Sequence, residues 1–194
     1  MKTNSLTLLL LLVVGLLSWT GCEDDDPIRP DQLSYDGPNF TSPQIVPGTT
    51  VFAAYFPPSE TEPFVGRLLD RVSFDLIRVP NSTSVVIYEE GASANAPGNE
   101  IYRVDLSGRI NNVGEIVHRL PSPIEITQDG IWIGVEVVVD DIVQSVGCDQ
   151  GENYNPNGDR ILTPEDPSGW TNFNALRSPE RVNWNIRGIL ADEE

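Results

Sequence analysis

An all-β domain of two stacked antiparallel sheets is the fold this sequence predicts, on three observations. Apolar residues recur at every second position in stretch after stretch. The connections between these stretches draw on the chain's 16 prolines and 16 glycines. Past the opening residues there is almost no apolar pattern with a helical period.

The elements follow in order. Residues 49–56 are β-rich and stop at Pro57-Pro58. Residues 70–79 alternate, with Val72, Phe74 and Leu76 on one side. After a turn at Asn81-Ser82, residues 83–89 centre on Val85-Val86-Ile87-Tyr88. Residues 100–106 put Tyr102, Val104 and Leu106 on one face. Residues 114–120 follow, then a short stretch at 124–127 behind two prolines, and a turn at Asp129-Gly130. The longest strand is 131–139, with Ile131, Ile133, Val135, Val137 and Val139 on one face and Trp132, Gly134, Glu136 and Val138 on the other. Successive side chains of a strand point to opposite faces, so the first set is core. The last strand, 182–190, turns Val182, Trp184, Ile186 and Leu190 inward and Asn183, Asn185 and Arg187 outward. Roughly eight such strands bury their faces best as two packed sheets; a jelly roll is the first expectation and an immunoglobulin-like sandwich the second.

The chain opens as a secretory leader over residues 1–21: Met1-Lys2, an apolar run from Leu6, and a small residue before Cys22. Counted to Trp19, the run is about 14 residues, short of the roughly 20 a spanning helix needs. Thr20-Gly21-Cys22 behind a leucine-rich core resembles the lipobox of bacterial lipoproteins, with Trp19 where that family usually carries leucine. The resemblance implies that the Cys22 thiol is acylated and becomes the mature first residue, anchoring the chain in a membrane. Glu23-Asp24-Asp25-Asp26 then resembles the export signal of surface lipoproteins in the Bacteroidetes group. The expected location is therefore the outer membrane, facing outward, with a periplasm-facing anchor as the alternative. Residues 22–47, acidic and interrupted by Pro27, Pro30, Pro38, Pro43 and Pro47, read as an extended tether. The sandwich is expected over 48–194.

Composition excludes one class of partner. Twelve basic residues stand against 29 acidic ones, a formal net charge of −17, and Lys2 is the single lysine. Nucleic-acid binding requires cations placed on phosphates, so no nucleic acid is expected. There are two cysteines. With Cys22 carrying lipid, Cys148 has no partner and no disulfide forms.

Two constellations stand out. Asp149, Glu152, Asn153, Asn155, Asn157 and Asp159 place oxygen ligands around Gly151 and Gly158. That rhythm suits a structural calcium ion. Equally it is an Asn-Pro-Asn-Gly turn. It is no EF-hand, because Pro164 falls where the bidentate glutamate would stand. Second, Tyr154, Trp170 and Phe173 lie in loop-like sequence near Asn172. Rings beside amides suit a glycan platform, or else packing over a sheet end. Catalytic signals are sparse. His118 is the one histidine, no Gly-x-Ser-x-Gly turn is present, and Asp140 and Asp141 point apart along a strand end. No catalytic residue is expected, and Cys148 reads as buried or idle.

Leu120-Pro121 with Ile124 and Ile126, Ile131-Trp132-Ile133-Gly134, Gly147 with Asp149 and Gly151, Trp170, and Asn183-Trp184-Asn185-Ile186 resemble the jelly-roll domains of the cleaved-adhesin type. The resemblance covers residues 70–190. It implies adhesion or ligand binding, at times with structural calcium, and no catalysis of its own. The function expected is a non-catalytic lipoprotein binding a glycan or an envelope protein. The alternatives are an accessory subunit of an envelope assembly and, more distantly, a small hydrolase.

Overall fold

The alternation along residues 131–139 decides the architecture. Ile131, Ile133, Val135, Val137 and Val139 all lie in one buried cluster, together with Phe52, Phe56, Phe74, Trp184 and Ile186. The computed structural model describes residues 31–192; the leader, Cys22 and the start of the tether lie outside the described residues. Within them the strands are β1 (Gln32–Leu33), β2 (Gln44–Ile45), β3 (Gly48–Phe56), β4 (Leu68–Leu76), β5 (Ser82–Glu89), β6 (Glu100–Asp105), β7 (Gly114–Glu125), β8 (Ile131–Val139), β9 (Val143–Gln144), β10 (Arg160–Leu162), β11 (Thr171–Asn172) and β12 (Ile186–Leu190). Two single-turn helices join them, α1 (Pro58–Thr61) and α2 (Phe173–Leu176).

One sheet has the order β1-β12-β4-β7 and the other β11-β10-β3-β8-β5-β6, with β2-β9 as a separate ribbon. Every pairing is antiparallel. Without the short β2, β9, β10 and β11, the chain places β1-β12-β4-β7 against β3-β8-β5-β6. Only β5 and β6 are consecutive strands within one sheet; each other connection crosses to the opposite sheet. That is jelly-roll topology. The sheets approach closely at Gly188 of β12, where a Cβ would lie 2.4 Å from the Ile133 Cδ1 atom and 2.9 Å from that of Leu69.

Four expectations are corrected. The tether does not extend to residue 47. β1 pairs with β12 and β2 with β9, and Leu33 and Ile45 are each 2% exposed. Tyr35 stacks on Phe56 at 4.8 Å and donates its hydroxyl to the Tyr55 carbonyl at 2.9 Å. Proline-rich sequence with isolated apolar residues describes an edge segment as well as a spacer, and the jelly roll takes its first strand from it. The strands expected at 114–120 and 124–127 are one strand, β7, with a register shift opposite Leu69–Arg71 that accommodates Pro121 and Pro123. An edge strand tolerates proline because its outer N–H groups are not needed for the ladder. β12 begins at Ile186 rather than residue 182, and Asn183 and Asn185 are buried, not outward-facing. Trp132 is buried as well, although it lies opposite the core face. It stacks on Tyr55 at 4.8 Å, and Trp170 covers it edge-on at 5.3 Å.

On the outer face of the smaller sheet, Arg187 gathers three carboxylates. Its guanidinium donates to Asp36 at 2.6 Å and to Glu115 at 3.3 Å, and lies 3.9 Å from Asp75. The Asp36 pair ties the segment after β1 onto β12. Burial pushes the Asp75 carboxyl above the ordinary carboxylate range, with Arg187 opposing the shift and Glu115 and Asp36 adding to it. An acid whose folded pKa is raised favours the fold when protonated, and that contribution is lost as pH rises through the folded value. Asp75→Asn is therefore expected to raise the urea midpoint relative to wild type at pH 8. The difference should vanish below about pH 4, where the wild-type carboxyl is protonated in both states. A gain that grew toward acid pH would contradict this arrangement.

Candidate functional site

The loop 149–159 folds around its own polar groups. Asp149 is buried, and its carboxylate accepts four N–H bonds. Oδ1 takes the Gly151 amide at 2.9 Å and the Asn183 amide at 2.7 Å. Oδ2 takes the Asn183 side-chain Nδ2 at 2.8 Å and the Gly37 amide at 3.2 Å. Asn183 in turn accepts the Asn155 amide on Oδ1 at 2.9 Å. Gly151 adopts φ +69°, and a Cβ there would fall 2.1 Å from the Arg181 carbonyl oxygen, so glycine is required.

Asp159 is a second, separate centre. Its carboxylate accepts the Asn174 amide at 2.9 Å, the Tyr154 hydroxyl at 3.2 Å and the Asn172 Nδ2 group. Burial raises its carboxyl above the ordinary range. Asn155 Oδ1 accepts the Asn157 amide and Asn157 Oδ1 accepts Arg160, both at 2.9 Å. Glu152 and Asn153 are exposed. The six residues expected around a calcium ion are thus divided between two hydrogen-bonded centres and the loop surface. Among the described residues no group of three or more His, Cys, Asp or Glu is placed to hold a metal.

The aromatic set is dispersed too. Phe173 is not a loop platform but core, edge-on to Trp184 at 5.3 Å. Asn172 is fully engaged, donating to Asp159 and the Pro156 carbonyl and accepting from Arg160 at 3.1 Å. Tyr154 is half-buried under the Arg181 guanidinium, 5.7 Å from the ring centroid. Trp170 is half-buried over Trp132 and Tyr88. A row of rings therefore crosses the outer face of the larger sheet from Tyr55 through Trp132 to Tyr88, strands that the register places side by side.

The row leads to a cleft that sequence reasoning missed. Where the ends of β5 and β8 meet β6 and the end of β7, an open cavity of about 520 Å³ is lined by Glu89, Glu90, Ile101, Ile124, Glu125 and, from the turn into β8, Ile126, Thr127 and 129–131. Its floor is apolar, with Ile126 and Ile131 in the core cluster and Ile124 packed against it. Ile101, 43% exposed, stands at the mouth. Glu90 is fixed, accepting the Tyr55 hydroxyl at 2.6 Å and the Gly130 amide at 3.1 Å. Burial and the adjacent Glu90 carboxylate push the Tyr55 phenol up, so it stays a donor. Glu89 accepts Asn99 at 2.9 Å. The Glu125 and Asp129 side chains make no ion pair among the described residues. Three separated segments build this cleft, and the only local signals were the Glu89-Glu90 pair and Ile101, which departs from the inward alternation of β6.

No family model matches the chain, and neither a curated protein nor a solved structure matches it significantly.

The two loop centres give a direct expectation. Asp149→Ala strands four N–H donors, the two of Asn183 buried and those of Gly37 and Gly151 half-buried, and hydrogen bonds to a charged acceptor contribute about 1.5–3 kcal/mol each, so the loss should be ~3 kcal/mol or more by urea unfolding. Asp149→Asn should recover little, because its Nδ2 would face N–H donors. In the same samples saturating calcium should move the wild-type Tm by less than about one degree, since the oxygens it would need are occupied. A clear rise with calcium would show that those donors give way to a cation.

Proposed function

We propose that this protein is a non-catalytic lipoprotein, anchored in the outer membrane through Cys22 and facing outward, whose sandwich binds a partner molecule in the cleft at the β6–β7 side. The observation that carries this reading is the cleft itself. Concave sites with an apolar floor and a few converging polar groups are where ligands bind, and this one has apolar walls and, among the described residues, no arginine or lysine in its lining beside Glu89, Glu90, Glu125 and Asp129. The anchor rests on the lipobox-like leader, and the adhesin-like strand motifs point the same way, toward adhesion rather than turnover.

The groups that nucleophilic catalysis would need are poorly disposed. Cys148 is buried, and burial with the neighbouring Asp149 charge pushes its thiol up to about 12. A thiol is inert without its thiolate. His118 has its Nε2 atom 2.7 Å from the Tyr102 hydroxyl, and burial lowers its pKa. A second reading, a two-carboxylate hydrolase, is favoured by one observation, the several carboxylates on one cleft. Turnover of aryl glycosides that Glu90→Gln abolishes would establish it.

Two measurements test the main reading. Cys22→Ser should move the protein from the membrane fraction to the soluble fraction; retention on the membrane would defeat the anchor. A photoreactive phenylalanine analogue in place of Ile101 should crosslink a ligand on intact cells, whereas the same analogue in place of Val113, exposed outside the cleft, should not. No adduct from position 101 would remove the cleft as the binding site.

A further inference from the structure

We infer that the occupant of the cleft is an extended protein segment carrying arginine or lysine between aliphatic residues, laid along β6. The inference rests on the cleft being the binding site, and it names the ligand class.

Charge is the first argument. Glu89, Glu90, Glu125 and Asp129 line the cavity, and among the described residues no arginine does. The nearby cations are committed elsewhere. Arg103 bridges Glu100 at 2.8 Å and Glu136 at 2.6 Å, and Arg71 and Arg119 both hold Asp70. The site is complementary to a cation that the described residues do not supply, and such a patch draws a cationic partner and discriminates against anionic ones.

The walls are the second argument. Ile101, Ile124, Ile126 and Ile131 supply aliphatic surface, and among the described residues no aromatic ring lines the cavity. A sugar finds nothing to stack on here. Aliphatic side chains flanking a basic one find both of their complements, isoleucine for the stem and carboxylate for the head.

The sheet edge is the third. β6 ends the larger sheet, with β5 as its one partner among the described residues. The neighbouring edge, β7, carries Pro121 and Pro123, which remove N–H donors and block strand addition. The β6 strand, Glu-Ile-Tyr-Arg-Val-Asp, carries no proline. An extended segment can therefore add to β6 through main-chain hydrogen bonds while its alternate side chains enter the cleft beside Ile101. This favours a peptide over a free amine, which has no backbone to pair.

The test uses the full-length protein in neutral detergent and fluorescent decapeptides read by anisotropy. One peptide alternates valine with arginine; its twin alternates valine with glutamate. The arginine peptide should bind and the glutamate twin should not. Glu125→Gln with Asp129→Asn should weaken binding about tenfold, as loss of two charge pairs implies. Asp141→Asn with Glu152→Gln, which removes the same charge away from the cleft, should leave affinity unchanged. Equal losses from the two pairs would reduce the effect to net charge and overturn the inference. So would binding of the glutamate twin, or displacement by a neutral oligosaccharide. If the arginine peptide fails while the analogue at position 101 still crosslinks a ligand, the inference falls and the binding-module reading stands. If neither gives a signal, both fall.

Discussion

The carboxylate of Asp149 is where three distant parts of the chain meet. It holds the Gly37 amide from the first segment, the Gly151 amide from the loop and both nitrogens of Asn183 ahead of β12. Beside it, Asp36 grips Arg187 of β12, and Asn185 donates to Asp36 at 2.7 Å. The consequence is topological. A jelly roll needs its first and last strands side by side, and here, among the described residues, β1 pairs through Gln32 and Leu33 with one further bond from the Leu190 amide to the Asp31 carbonyl. So short a pairing cannot hold itself, so polar contacts around Asp149 and Asp36 fix the chain on either side of it. Cys148 is free, so no disulfide shares the task among the described residues. Such networks fix one arrangement because each buried donor without its acceptor is heavily penalised.

What was legible in the sequence follows from the same division of labour. Strands that bury one face announce themselves by alternation, and the inward rows of β8 and β4 were read correctly because burial alone dictates them. Segments held by specific polar contacts carry no period. Leu33 and Ile45 are single buried residues among prolines, so 31–47 read as a spacer. Asn183 and Asn185 read as outward because they are polar, yet they are buried as hydrogen-bond partners of Asp149 and Asp36. Phe173 read as a loop ring because nothing local shows that Trp184 waits beneath it. The oxygen-rich rhythm of 149–159 was real, but its carboxylates turn toward N–H groups of the chain.

The site was less legible than the fold. Glu89 and Ile101 lie on the paired strands β5 and β6, Glu125 and Asp129 at the β7–β8 turn, and only the crossing from β6 to β7 brings the two pairs to one gap. The Asp149 centre lies in the loop bonded to Asn183 ahead of β12 and the cleft lies on the β6–β7 side, where Glu90 holds the Tyr55 ring of the aromatic row. The proposed binding cleft is thus built from residues other than those that hold the Asp149 centre.

The most direct test is an amide chemical-shift titration of the isotopically labelled Cys22→Ser protein with the basic peptide. Shifts are expected at Ile101, Ile124, Glu125 and Gly130, with Gly151, Asn155 and Asn183 unmoved. Perturbation concentrated in 149–159 would contradict the account and return the binding site to that loop.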